Sequence, residues 1–181
     1  YLVKTTVGAP ELKQWKYPLP QDDKVIQIHR VIIDTETAEM VRLKVDADPR
    51  RGTLCDDISC SGAFDDNEWS PDSKQLAFVS SSRDHKIAQF RIADASTGEV
   101  RDVYREESPT QYESGRGAIN WRFYPENDEF IWYSEKDNWG HLYLHDLNTG
   151  KVKHQITKGE WVVNRIAFVD EDKRKIYFVK T

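Results

Sequence analysis

Few side chains in this 181-residue sequence stand where their types and spacing suggest chemistry. Glu106 and Glu107 come first, because two adjacent carboxylates are the kind of pair that neutralises a cation entering a partly dry cavity. They sit between Val103-Tyr104-Arg105 and Ser108-Pro109, and Arg105 is placed to offset part of their charge, so the expectation is a solvated loop. A serine nucleophile of the α/β-hydrolase kind needs a Gly-x-Ser-x-Gly elbow, followed in chain order by Asp and His. No two of the nine glycines bracket a serine at that spacing, so no catalytic residue is assigned. His29, His85, His141, His145 and His154 fall in or beside predicted strands and turns and read as surface residues rather than bases. Cys55 and Cys60 flank Asp56-Asp57-Ile58-Ser59, and two thiols with no histidine cluster nearby do not make a zinc site. They read either as a short-loop disulfide in an oxidising compartment or as two half-buried thiols. The acidic runs Asp56-Asp57 and Asp65-Asp66 lack the alternating ligands and glycine of a calcium loop, so no metal and no cofactor is expected.

The elements that would position these groups are strands. From Trp121 to Trp161 the sequence reads strand, turn, strand, turn, strand. Phe130-Ile131-Trp132-Tyr133 is an apolar run, Ser134 to Gly140 is a polar connection, and His141 to Asp146 alternates polar with apolar. Asn148-Thr149-Gly150 supplies a second turn before Val152 to Thr157 alternates again. The stretch from Trp69 to Val100 aligns with this one without a gap at 52 residues, the separation of Trp69 and Trp121. Phe78 then meets Phe130, Val79 meets Ile131, Phe90 meets Leu142 and Ile92 meets Leu144, while Asp94 and Thr97-Gly98 meet Asp146 and Thr149-Gly150. A period near 50 residues holding several strands is the mark of propeller blades.

Composition bounds the rest. Hydrophobic content of 38% is low, but 12% aromatic residues argue for a packed domain rather than disorder. A net charge of −5 without a basic block argues against a nucleic-acid partner. No apolar run reaches the length of a membrane span and no signal peptide is seen. The chain opens on Tyr1, which suggests a processed product or a piece of something longer. In order, Leu2 to Thr6 is strand-like, Pro10, Pro18 and Pro20 interrupt it, and Val25 to Asp34 with Met40 to Val45 form a strand pair closed by Asp34. Asp46 to Asp66 is a crossover, Glu106 to Ala118 a loop, and Val162 to Thr181 begins a further unit. The fold class expected is all-β: a partial β-propeller of about three to four antiparallel meander blades, with residues 1–181 as one fragment. Its units fall near 1–46, 64–105, 118–157 and a truncated 162–181. The first and last would leave faces uncovered, so self-association through open blade edges is expected, with strands 2–6 and 174–180 as candidates for exchange.

The order Ser134-Glu135-Lys136-Asp137, Trp139-Gly140-His141-Leu142-Tyr143-Leu144, Thr149-Gly150-Lys151 and Gln155-Ile156-Thr157-Lys158-Gly159-Glu160-Trp161 closely resembles the N-terminal propeller of the dipeptidyl peptidase IV family of serine peptidases. Tyr17-Pro18-Leu19-Pro20 followed by Val31-Ile32-Ile33-Asp34 resembles the same family between middle blades, whereas Trp69-Ser70-Pro71-Asp72 also begins TolB-like repeats. The resemblance implies a propeller set against an α/β-hydrolase domain of the same chain, forming the wall and gate of a cavity for peptide substrates. It implies a periplasmic or extracellular protein, and it makes Arg116 a candidate substrate-binding residue facing that cavity. The family's paired glutamates lie in an earlier blade, so Glu106-Glu107 do not inherit their role. A TolB-like or WD-like protein-binding propeller is the alternative.

Overall fold

The computed structural model describes residues 2–4, 8–9, 11–13, 19, 21–49, 67–112 and 120–181. Cys55, Cys60, Asp56-Asp57, Asp65-Asp66, Arg116 and Tyr17-Pro18 lie outside the described residues. Two four-stranded antiparallel sheets form the centre. One is built from β7 (Asn67–Trp69), β8 (Gln75–Ser81), β9 (Ile87–Asp94) and β10 (Val100–Glu107). The other is built from β11 (Arg122–Tyr124), β12 (Glu129–Ser134), β13 (His141–Asp146) and β14 (Val152–Gln155). In each sheet the strands lie side by side in chain order, which makes each a meander. Before them come the hairpin β1–β2 (Leu2–Lys4, Glu11–Lys13) and the pairs β3–β6 (Gln27–Ile28, Asp48–Pro49) and β4–β5 (Val31–Ile33, Met40–Arg42). After them comes the pair β15–β16 (Val163–Asp170, Lys175–Lys180). This all-β array of successive meanders is a partial β-propeller.

The continuous apolar run of β12 follows from its place between two neighbours. Phe130 and Trp132 turn towards the preceding sheet and pack with Phe90, Ile92, Trp121 and Phe123. Ile131 and Tyr133 turn the other way and pack with Leu142, Leu144, Val163 and Ile166. Alternate residues of one strand therefore feed two different cores, as a sheet covered on both faces requires. Likewise Ala77 joins the first core, while Leu76 and Phe78 join a third with Leu43 and Ile32 of the first unit.

One turn recurs three times. Asp94 Oδ1 accepts the N–H groups of Ser96 (3.0 Å) and Thr97 (2.8 Å), and Asp146 Oδ1 does the same for Asn148 (3.1 Å) and Thr149 (2.8 Å). Asp34 Oδ1 holds Glu36 and Thr37 at 2.9 and 2.8 Å. These bonds favour the charged carboxylate, and Asp94 is drawn down to about 2, with the Ser96 hydroxyl as the largest cause. The turn then needs a left-handed residue, supplied by Gly98 at φ +72 and Gly150 at φ +69. Both glycines also touch the unit before them. A Cβ on Gly98 would lie 2.5 Å from the Arg42 carbonyl oxygen, and one on Gly150 closer still to that of Val103. In the first unit the same position is Ala38, at φ 60.

The repeat is real, but its first half is displaced from the gapless alignment. In the ladders, Phe78 faces Arg91 and Trp132 faces Tyr143, while Trp69 faces Leu76 and Phe123 faces Phe130. With Arg91 and Tyr143 matched through their closing turns, Phe78 corresponds to Trp132 and Trp69 to Phe123. The offset is therefore 54 residues in the first two strands, the separation of Trp69 and Phe123, and 52 in the last two. Trp69 and Trp121 are not equivalent: the first is 46% exposed and the second 4%. A slip of two keeps every side chain on its own face, so hydrophobicity alone cannot register it.

Candidate functional site

Glu106 and Glu107 lie in β10 rather than in a loop. Successive strand residues point to opposite faces, and the two carboxylates part accordingly. Glu107 is exposed and pairs with Arg105 at 3.4 Å. Glu106 turns onto the next sheet, accepting hydrogen bonds from Trp132 Nε1 (2.8 Å), Tyr104 OH (3.2 Å) and Ser134 Oγ (2.6 Å). Glu106 is thus a clasp between adjacent units, and the two cannot close on one ammonium group. The alternation that separates them was visible in the sequence once the strand was extended two residues past Arg105.

Two histidines expected at the surface are core residues, for which nearby carbonyls provide the reason. His141 is fully buried, with Nε2 2.9 Å from the Gly159 carbonyl, Nδ1 3.0 Å from Thr157 Oγ1, and its ring edge-on to Trp161. His145 is also fully buried, between Tyr104 and Phe130, with Nδ1 2.9 Å from the Gly150 carbonyl. A carbonyl only accepts, so Nδ1 carries the proton, and the buried Nε2 has no partner among the described residues. Burial pushes the His145 imidazole down to about 4; the Gly150 bond opposes this and Lys136 adds to it. Neither ring is placed as a base. His29 and His154 are exposed and His85 is half-buried in a turn.

The polar concavities lie elsewhere, where the first strands of successive units meet. A cleft of about 260 Å³ is lined by Glu68 and Trp69 of β7, Arg122 and Tyr124 of β11, and Glu171 just after β15. Glu68 Oε2 accepts the Phe123 N–H at 2.7 Å and its Oε1 lies 3.7 Å from Arg122 Nε. Burial nevertheless raises its carboxyl to about 7, against the pull of Phe123 and Arg122 and with a further push from Glu171. A second cleft of about 200 Å³ separates β12–β14 from β15–β16. On its wall Glu129 accepts from Lys153 Nζ and Arg174 Nη2, both at 2.7 Å. Burial would raise this carboxyl, but the two cationic hydrogen bonds outweigh it and hold it below the ordinary value. Such clefts offer a guanidinium, carboxyl groups and a phenol to a polar ligand, and among the described residues no cluster of three His, Cys, Asp or Glu side chains could hold a metal ion. Sequence reasoning missed Glu68, Arg122, Tyr124 and Glu171. The one signal was a carboxylate beside Trp69 at the start of a unit. No helix among the described residues is long and apolar enough to cross a membrane.

Comparison with known proteins follows the same lines. The family model for the dipeptidyl peptidase IV (DPP IV) N-terminal region matches residues 2–181. Dipeptidyl peptidase 4 of Arthroderma otae is 37% identical over 65 residues, which is 36% of this chain and 8% of that protein. Dipeptidyl peptidase 4 of Trichophyton equinum aligns to the same extent. Among solved structures, a candidate dipeptidyl aminopeptidase IV from Bacteroides ovatus superposes with a TM-score of 0.69 at 24% identity, covering 99% of this chain and 26% of that one. Porphyromonas gingivalis dipeptidyl peptidase 4 gives 0.62 at 16%, covering 94% and 22%. At such identities these two structures show a shared fold. The chain spans about a quarter of their length.

Proposed function

Because the chain belongs to the dipeptidyl peptidase IV N-terminal region family, we propose that it forms part of the non-catalytic propeller of a serine dipeptidyl peptidase, as wall and gate of the cavity that admits peptide substrates. The family match over residues 2–181 carries this reading. The clefts between first strands, with Glu68, Arg122 and Tyr124 on their walls, support it, since a peptide path needs polar groups that can be satisfied along its length. The nucleophile, its histidine and its aspartate belong to an α/β-hydrolase domain of the same whole protein, which is periplasmic or extracellular. Arg116 is the side chain proposed to face the substrate.

Three measurements test the proposal. The purified 181-residue chain releases no dipeptide chromophore from X-Pro or X-Ala substrates, and release that a serine-directed inhibitor blocks would overturn the non-catalytic reading. In the whole enzyme, Arg116→Ala raises KM several-fold with kcat largely kept; unchanged kinetics would remove Arg116 from the cavity. Cell fractionation that finds the whole protein in the cytoplasm would reject the compartment.

A further inference from the structure

The cleft of about 260 Å³ is built from the first strands, and the turns that follow them, in three consecutive units, so neither end of the chain shapes it. Its charges do not balance. Glu68, Glu126 and Glu171 line it, and Arg122 is the one cation among its lining residues. That guanidinium is already committed: Nη1 donates to the Trp121 carbonyl at 2.6 Å, and Nε faces Glu68 at 3.7 Å. The cations that follow Glu171 in sequence are drawn elsewhere, Lys173 to Asp170 at 2.9 Å and Arg174 to Glu129 at 2.7 Å. The side chains of Glu126 and Glu171 are exposed and have no hydrogen bond or ion pair among the described residues. On the same lining the Tyr124 hydroxyl is buried, also with no hydrogen-bond partner among the described residues.

We propose that this cleft receives the side chain of a lysine or arginine from a peptide lying along the first strands, an inference that rests on the peptide-path reading above. A cation on a flexible apolar stem matches both halves of the lining. Its charge meets Glu126 and Glu171, and one of its N–H groups is donated to the Tyr124 oxygen, since buried hydroxyls are satisfied as a rule. Its methylenes lie against Pro125 and the 46% exposed indole of Trp69, whose ring face also attracts a cation. The cleft is smaller than the roughly 300–1,000 Å³ of pockets that enclose a whole small molecule, which suits it to a single side chain. Glu68 supports the sign of the charge. Burial is the main reason that its carboxyl is raised to about 7, and Glu171 adds to this against Phe123 and Arg122. An incoming cation draws that carboxyl into its charged form and gains a third partner. An anionic side chain would instead meet three carboxyl groups and one guanidinium that is already engaged.

Titration of the 181-residue chain with neutral-ended tripeptides tests it. N-acetyl-Ala-Arg-Ala-amide and its lysine counterpart, followed by two-dimensional NMR at low salt, shift the Trp69 indole and Phe123 amide signals. The citrulline peptide keeps the shape of arginine without its charge, and it binds about tenfold more weakly. Glu126→Gln with Glu171→Gln lowers affinity for the arginine peptide by about tenfold, and Trp69→Ala lowers it severalfold. Both glutamates are exposed, and the dispersion of the NMR spectrum confirms that the variants fold. No shift with the arginine peptide at millimolar concentration overturns the proposal. So does equal binding of the arginine and citrulline peptides, and so does an affinity that the double glutamine variant retains. The titration needs no peptidase activity, so the two readings fail separately. Arginine-selective binding by a chain whose whole protein cleaves no dipeptide supports the cleft and overturns the peptidase reading alone.

Discussion

At the scale of single residues, His145 and Glu68 both make stability depend on pH, and they act in opposite directions. The folded His145 titrates at about 4 against 6.5 for the free group, so the unfolded chain takes up its proton first as pH falls. Its effect is to reduce stability as pH drops from 6.5 through 4. The folded Glu68 titrates at about 7 against 4.5, so the unfolded chain releases its proton first as pH rises. Its effect is to reduce stability as pH climbs from 4.5 through 7. Each amounts to about 3 kcal/mol at most, and between 4.5 and 6.5 the two slopes cancel. Glu68→Gln is therefore expected to unmask a stability that rises with pH across that interval, and His145→Gln one that falls. Urea midpoints measured at half-unit pH steps check this; parallel profiles for both variants would show that neither group titrates as described.

At the scale of elements, the recurrent Asp-containing turn ties local conformation to the spacing of units. Gly98 is held at positive φ and faces a carbonyl of the preceding unit, so Gly98→Ala should cost about 2–4 kcal/mol from left-handed strain and displacement together. Ala38→Gly, at the exposed third copy of the turn, should instead gain about 0.5–1 kcal/mol by relieving the same strain. Thermal unfolding of the two variants compares them directly, and equal losses would deny the contact with Arg42 any role. Phe130→Ala should cost about 3–5 kcal/mol, because Phe130 stacks on Phe90 at 4.7 Å in the core between the sheets. Lys151→Ala, on an exposed turn, should cost under about 0.5 kcal/mol. Indistinguishable midpoints for these two would contradict the packing of β12.

At the scale of the whole molecule, the architecture was legible because aromatic runs, Asp-x-x-Thr-Gly turns and a period near 50 residues point to one answer. The candidate site was much less legible. Glu106 looked solvated because Arg105 and Ser108-Pro109 surround it in sequence, whereas its partners Trp132 and Ser134 come from the next unit. His145 looked like an outward residue of an alternating strand, but a strand covered on both faces has no outward side. Glu68, Arg122 and Glu171 converge only when three units are set side by side, and no spacing within one unit announces that.

The same two-sided burial makes chain length within the strands a quantity that changes by even steps. The hairpin joining the second and third strands is two residues longer in the second unit than in the third, and the two units still send Phe78 and Trp132, Ala77 and Ile131, to corresponding sides. One residue added between Phe130 and Ile131 would instead swap the contents of two cores, exchanging the partners of Phe90 with those of Val163. Divergence in such an array is thus quantised by parity in the strands and free only in the turns, where an odd residue changes a loop and leaves both neighbours undisturbed.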